Sequence, residues 1–594
     1  MIEQHSIPML LKTTAREKPQ EIAQWILDNE GRWLSINFHS FYQEVVDLAW
    51  KLTAFGINKG DVIAIMAATG REWELIHHAV LSLGGIVVGI DPSEISEQLD
   101  EIVKVAGIQT LVIDRLERLD KFREDIKAQF KLIITFDERA VESEITKLTF
   151  INIPKRQTGE LKNDPLPDVV QSEDIATIIF TSGTTGMPKG IAYRHNQIIT
   201  AIEAVLQTYP ELTQSPCHLA CWMPLSNLFQ RIANLCAIAS GAEVYFVEQP
   251  QKIIEYLPQI NPHIFIAVPR FYEKLYQGFE TKLGQQPKII VQCLQRCLTA
   301  GESNSLIGKL FKKINYRLFK SFTALFGNNI RYLVSGSAPM QLRLLKRFDA
   351  MGLLILEAYG LSENVMPITA NRPTDYRFGS VGKVLKGNTI MLAKDGELLI
   401  KGLGVFNGYL ADHQHDRSLN AEGYIASGDY AKIDSQGFIY LTGRKSEVFK
   451  TSTGRKIAPA AIEELLKLDP KVEYAVVFGE SRKFLVALIS AGTSPPIDEA
   501  STIRYAHKLA TGLMQCVSEL PEYKRPAGVI LSFKSLSIER QELTGNQKLR
   551  RKNIQQHYRV WIDELYNALD EPKSAIHRQP LLVDPEIVLL KLKY

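Results

Sequence analysis

Between Ile178 and Gly190 the chain reads IIFTSGTTGMPKG. A buried β-type run leads directly into small hydroxyl residues, two glycines and a lysine. Glycine lets a backbone approach an anion closely, and hydroxyls and amides supply hydrogen-bond donors. Lys189 adds positive charge, so the stretch has the chemistry of a triphosphate cradle. It is not a Walker loop. Counting GxxxxGK[ST] from Gly183 puts Pro188 where glycine is required and Gly190 where serine or threonine is required. Lys189 is followed by GIAY, another β-like run, so the spacing predicts a loop between two strands. A plain solvent-exposed turn would not need this density of Ser, Thr and Gly beside one lysine.

This segment resembles the signature loop of the adenylate-forming superfamily, which includes acyl-CoA synthetases, adenylation domains and luciferases. The resemblance implies that Thr181, Ser182, Gly183, Thr184, Thr185, Gly186 and Lys189 wrap the phosphates of ATP. Four further blocks follow in the family's order. SGSAPM (335–340) is similar to the segment along the adenine, giving Gly336, Ser337 and Ala338 that role. EAYGLSEN (357–364) resembles YGxTE. It would place the Tyr359 ring on adenine beside Gly360 and Ser362, and Glu363 on Mg²⁺ together with Thr181 and Thr184. In SGDYAKIDSQGFIYLTGR (427–444), Asp429 would accept from the ribose hydroxyls and Arg444 would touch the same nucleotide. ELTGNQKLRRKNI (542–554) resembles the block whose lysine enters the active site. Lys548 takes that register, with Arg550, Arg551 and Lys552 as competing cations. An ammonium there would bridge the substrate carboxylate and the α-phosphate as charge develops. The implied catalytic set is Lys548, Lys189 and Glu363.

PLSNLFQRIAN (224–234), VPRFYEKLYQGF (268–279), YGLSENVMPIT and TSTGRKIAPAAIEE (451–464) resemble the long-chain fatty acyl-CoA synthetase branch. That branch implies a fatty acid substrate, ATP, Mg²⁺ and a thiol acceptor. The acceptor is CoA, with the phosphopantetheine of an acyl carrier protein as the alternative. It also implies two steps: acyl-adenylate formation, then acyl transfer after a small C-terminal domain rotates. The chain departs from the pattern twice. Asn227 stands where a histidine is usual, and Ser446 stands where the hinge is usually Asp or Lys. A non-catalytic acyl or nucleotide sensor is a rival, opposed by the joint retention of Lys189, Glu363, Asp429, Arg444 and Lys548.

Positioning these groups takes a large scaffold, and 594 residues call for at least two domains. Helical periodicity over 38–55, 72–83 and 97–105 alternates with strand-like DVIAIM, GIVVGI and TLVID. This predicts parallel βαβ units in a layered α/β fold. A polar connection is expected at 154–168, further strands at IFIAV and IRYLVS, and a β-rich section at NTIMLAKDGELLIKG. Beyond Gly443 an α+β unit is expected, with helices at 460–468 and 503–516 and strands at YAVVFG and FLVALIS. The expected domains are 1–443 for ATP and acyl sites, 444–558 as a mobile domain carrying the lysine, and 559–594 as a loosely docked extension.

A net charge of +3 offers no footprint for nucleic acid. One basic stretch exists locally. Residues 281–331 hold nine Lys/Arg against the single acid Glu302 and have a helical pattern. It reads as a solvated face, or as a dock for anionic lipid or an acidic carrier. The six cysteines show no CxxC pair and read as reduced, buried thiols. No signal peptide is evident at the N-terminus, and the most apolar stretch, 79–90, is too short to span a bilayer. The expectation is a cytoplasmic protein, with peripheral membrane contact left open.

Overall fold

The structure is a computed structural model. It describes residues 6–139, 147–153, 166, 168–182, 188–303, 305–410, 419–420, 422–496, 498–543 and 549–593, with only the backbone of Ser182. The connection expected at 154–168 therefore lies almost wholly outside the described residues. The chain forms two compact units. The first comprises Met1–Met391, Leu399–Ser427 and Ile433–Tyr440; the second comprises Leu392–Leu398, Gly428–Lys432 and Leu441–Tyr594.

In the first unit a seven-stranded sheet runs in the order Leu148–Phe150, Leu132–Thr135, Thr110–Ile113, Val62–Met66, Ile86–Gly89, Ile175–Ser182, Pro188–Arg194. Its pairs are parallel except the last, which is antiparallel. Helices Phe38–Ala54, Arg71–Ser82 and Ser96–Ala106 fall on the three periodic segments. Strand Val62–Met66 and strand Thr110–Ile113 are buried on both faces, which is why they read as continuous apolar runs. A second sheet runs Ile264–Ala267, Tyr332–Ser335, Ile355–Leu361, Asn364–Ala370, Lys383–Val384. Its first three strands are parallel and the rest antiparallel.

A third sheet has no counterpart in the sequence pattern. Ile22–Leu27 and Trp33–Asn37 form an antiparallel pair whose first strand aligns parallel with Glu243–Phe246. These early strands are only partly buried, so they show no clean alternation. A four-stranded sheet of Asn388–Leu392, Glu397–Gly402, Ile425–Ile433 and Ile439–Arg444 accounts for the β-rich texture there.

The second unit is built on a five-stranded sheet, Tyr474–Phe478, Leu485–Ser490, Pro526–Ser532, Ile587–Lys591, Leu581–Asp584. Alternate residues feed two cores. Val477, Ala487, Val529 and Leu590 face one core with Ala506, Leu509 and Leu513 of helix Glu499–Cys516. Val476, Leu488, Ile530 and Leu589 face the other with Ile554, Ile562 and Leu565. This period-two division is what a sheet with both faces covered requires. It also corrects the expectation of a loosely docked tail. Residues beyond 558 supply helix Arg559–Asp570 and two strands, and strand Ile587–Lys591 pairs with strand Pro526–Ser532 through five residue pairs. The Glu, Pro and Asp residues that suggested looseness sit mainly in its turns.

The cysteine expectation holds for Cys217, Cys221 and Cys236, which are buried thiols. Burial pushes the Cys217 thiol up to about 11. It fails for Cys293, which is exposed, and for Cys297 and Cys516, which are half-exposed. No helix among the described residues is long and apolar enough to cross a membrane.

Candidate active site

The phosphate-loop segment is held by strands Ile175–Ser182 and Pro188–Arg194, which pair from Ile175↔Arg194 to Ser182↔Pro188. A strand on each side of 183–187, with no helix opening after Lys189, is the flanking arrangement expected in place of a Walker loop. Gly183, Thr184, Thr185 and Gly186 lie outside the described residues. Thr181 and Lys189 face each other as a register pair at the loop's mouth. The Lys189 ammonium stands 4.8 Å from the centre of the Tyr409 ring. Tyr409 is brought there by a backbone bridge to Ile191 and by Leu410 N–H donating to Gly190 C=O at 2.8 Å.

The same tyrosine reaches the second motif. Its hydroxyl donates to Glu363 Oε1 at 2.6 Å, and Glu363 is buried. Glu363 sits in the turn between antiparallel strands Ile355–Leu361 and Asn364–Ala370, so the YGLSE block is a β-hairpin tip. Tyr193 Oη donates to Ser362 C=O at 2.5 Å, fixing the tip to the phosphate-loop hairpin. Burial keeps that phenol protonated, well above its ordinary pKa. Lys189, Glu363 and their motifs are thus joined through Tyr409 and Tyr193. Neither tyrosine belongs to one of the sequence motifs that mark the site. Tyr409 carries no local signal in the sequence; only the backbone bridge to Ile191 makes it a neighbour.

Ser335–Met340 leaves the end of strand Tyr332–Ser335, with Gly336 buried and Ser337 and Ala338 exposed. Ser337 holds φ of +72°, the left-handed region that costs a non-glycine residue energy. The segment is pinned by Glu357, whose Oε1 accepts from Met340 N–H at 3.1 Å. Burial raises the Glu357 carboxyl to about 7, partly offset by the backbone donors of Met340 and Gly379. Tyr359 is buried two residues further along that strand, and Gly360 and Ser362 are exposed.

An apolar cavity of about 70 Å³ lies behind these strands, lined among others by Phe229, Ile264, Ile266, Val334, Ala358 and Ala370. Ala358 precedes Tyr359, and Val334 stands two residues before Gly336. The Phe229 ring lies against Gly336, where an added Cβ would come within 3.3 Å of it. Asn227, the departure from the expected histidine, caps helix Leu228–Ser240: its Oδ1 accepts from Phe229 N–H at 3.0 Å. Asparagine is a strong N-cap residue, so the replacement has a structural use.

In the second unit, Arg444 Nε pairs with the buried Asp429 carboxylate at 3.0 Å. Next to it, Lys445 pairs with Glu397 at 2.6 Å and Asp395 at 2.8 Å. Ser446, the other departure, is exposed in a short 3₁₀ turn at Lys445–Glu447. Lys548 lies outside the described residues, within 544–548. Its flanks are described. Leu543 bridges Leu549, and Arg550 N–H donates to Glu542 C=O at 2.8 Å. Of the competing cations, Arg551 is committed elsewhere, donating from Nη1 to Glu463 Oε1 at 2.6 Å.

Comparison with known proteins gives these placements a context. Over 93% of its length and 91% of this chain, a long-chain-fatty-acid–CoA ligase of Mycobacterium bovis is 27% identical. A human long-chain-fatty-acid–CoA ligase is 25% identical over 95% of this chain and 93% of its own. Among solved structures, the adenylation domain of a carboxylate reductase from Mycobacterium chelonae matches with a TM-score of 0.74 at 18% identity, covering 96% of this chain and 92% of that one. The o-succinylbenzoate coenzyme A synthetase of Bacillus subtilis, in complex with ATP and magnesium ion, matches with a TM-score of 0.66 at 19% identity, covering 91% and 98%. These two share the fold. The family model for the AMP-binding enzyme matches residues 11–410, and that for the AMP-binding enzyme C-terminal domain matches 447–570. This chain therefore belongs to the AMP-binding enzyme family.

Proposed function

We propose that this protein is an AMP-forming acid–thiol ligase that adenylates a fatty acid and passes the acyl group to the thiol of CoA. The observation that carries the reading is the apolar cavity built on the strands that lead into the Gly336 and Tyr359 motifs. Such a lining suits the methylenes of a hydrocarbon chain, whose carboxylate would emerge where the nucleotide motifs begin, and a cavity of about 70 Å³ must widen to take a long one. The names of the relatives, similar over more than nine-tenths of both chains, point to the same substrate and acceptor.

In the first half-reaction a carboxylate oxygen attacks the α-phosphorus of ATP and pyrophosphate leaves. Lys189 and the Thr181–Gly186 loop hold the β- and γ-phosphates, and Lys548 offsets charge between carboxylate and α-phosphate. Gly336, Ser337, Ala338, Tyr359, Gly360 and Ser362 seat the base, while Asp429 and Arg444 take the ribose. A buried carboxylate and hydroxyl oxygens are the hard ligands Mg²⁺ prefers, so Glu363 with Thr181 and Thr184 fits that ion. Bound there, Mg²⁺ would neutralise phosphate charge. Tyr409 keeps the Glu363 oxygen and the Lys189 ammonium in one place.

In the second half-reaction the thiol sulfur attacks the acyl carbonyl carbon and AMP leaves. The mixed anhydride is activated, so positioning suffices and no Ser–His–Asp triad is needed. Residues 444–558 act as a mobile domain that withdraws Lys548 between the two steps, with Ser446 in the hinge segment. The test is incubation with ATP, Mg²⁺ and a series of fatty acids, with CoA in one arm and holo acyl carrier protein in the other. Acyl-CoA and AMP in equal amounts support the reading. Acylation of the carrier alone would replace CoA as the acceptor, and the absence of both products with every acid would refute it.

A further inference from the structure

Between strands Ile264–Ala267 and Tyr332–Ser335, which contribute Ile264, Ile266 and Val334 to the apolar cavity, the chain inserts a run of helices. Two of them, Lys288–Gly301 and Leu306–Leu318, turn Leu294 and Leu298 inward but carry further large apolar residues on the outside. Eight of the nineteen exposed large hydrophobic side chains in the described residues fall between Ile289 and Leu318, with Leu306 84% and Ile289 81% exposed. That concentration is far beyond the scattered apolar residues every surface carries.

The pattern along helix Leu306–Leu318 is ordered. Leu306, Leu310, Ile314 and Leu318 are four apart and form one exposed stripe. Lys309, Lys313 and Arg317 are also four apart and form the stripe beside it. The opposite face is fixed inward. Asn315 is buried, and its amide donates to Cys297 C=O and Ala350 C=O, both at 2.9 Å. The helix cannot roll its leucines into the core without breaking those bonds. Among the described residues, none of Lys288, Arg296, Lys309, Lys313, Arg317 and Lys320 has an ion-pair partner, while Glu302, the one acid, is held by Arg347 at 3.0 Å.

We infer that this helix pair is a docking surface for an anionic lipid bilayer. An exposed leucine stripe flanked by lysines is the arrangement by which a helix lies in a bilayer interface, with apolar side chains among acyl chains and cations at the headgroups. A second copy of the chain would bring Lys309, Lys313 and Arg317 against their own kind. An acidic protein partner would use the cations and leave the leucines unsatisfied. Docking would put the insertion that joins two cavity-lining strands at the surface where long-chain acids partition. The inference does not depend on the proposed reaction.

The test is co-sedimentation with phosphatidylcholine vesicles, with and without phosphatidylglycerol. It uses wild type, Leu306→Glu/Leu310→Glu and Lys309→Glu/Lys313→Glu, each checked for an unchanged thermal unfolding transition. Wild type should sediment with the anionic vesicles and be released by salt, and each double variant should lose about tenfold in bound fraction. Either variant suffices if the other fails to fold. The inference is overturned by wild type staying in the supernatant with anionic vesicles, or by variants binding as wild type does. A salt-resistant dimer that Leu306→Glu/Leu310→Glu dissolves, or capture of an acidic carrier protein without vesicle binding, would overturn it equally.

Discussion

In the first unit, Lys189, Glu363 and Tyr409 come from three separate stretches and meet only because two hairpins and the backbone bridge Ile191↔Tyr409 bring them together. In the second unit, the described flanks of Lys548 are held mainly by near neighbours in sequence. Glu542 receives Arg540 at 2.8 Å and His557 Nδ1 at 3.3 Å, and Asn553 Nδ2 donates to Gln541 C=O at 2.9 Å. Arg551 adds long-range ties, to Glu463 on helix Pro459–Leu466 and to Glu447 at 3.4 Å. The first arrangement fixes several groups against one another through sheet register. The second holds the described flanks of Lys548 mostly to one another, which suits the proposed withdrawal of that lysine between two half-reactions.

That contrast can be broken at its ends. Lys548→Ala should lower the adenylation rate by about 10²–10³, the usual loss for a group that stabilises developing charge, and leave the unfolding transition unchanged. A single-turnover assay of acyl-adenylate formation measures it. Arg551→Met should leave buried Glu463 with the Val477 N–H but no cation and cost about 3 kcal/mol in the second unit, read as a lowered denaturant midpoint. A purely local loop would not respond so strongly. Tyr409→Phe removes the hydroxyl that donates to Glu363 but keeps the ring beside Lys189. It should reduce adenylation about tenfold, at the cost typical of one lost hydrogen bond to a charged group. Tyr409→Leu should lose more.

The smallest effect concerns Glu357. Its carboxyl is raised from 4.5 to about 7 by burial, so the folded state holds the proton more tightly than the unfolded chain. Its contribution to stability is complete below about pH 4.5 and is lost as pH rises through 7. Glu357→Gln, which stays neutral, should flatten the fall in Tm between pH 5 and 8. Parallel slopes in wild type and variant would show that Glu357 does not titrate in this way.

Much of this was legible in the residues, because strands buried on both faces and amphipathic helices announce themselves. Helix Arg71–Ser82 and strand Val62–Met66 fall where periodicity places them. The phosphate loop was legible because its residue types are chemically unusual together. Tyr409 was not, since its role depends on a bridge to Ile191 that no local pattern encodes. Asn227 was read only as a lost histidine, because capping depends on where helix Leu228–Ser240 begins. The tail after Tyr558 looks loose in sequence because its turns are rich in Pro and acid, while Ile587–Lys591 pairs with strand Pro526–Ser532, which lies far back in the chain.

In the proposed reaction the acyl-adenylate forms from a fatty acid and ATP without help from the thiol. Fatty-acid-dependent exchange of labelled pyrophosphate into ATP, measured with Mg²⁺ and no CoA, tests it most directly. Exchange should require the acid, rise with acyl chain length and vanish in Lys548→Ala. Exchange that is absent with every fatty acid, or that persists undiminished in Lys548→Ala, would contradict it.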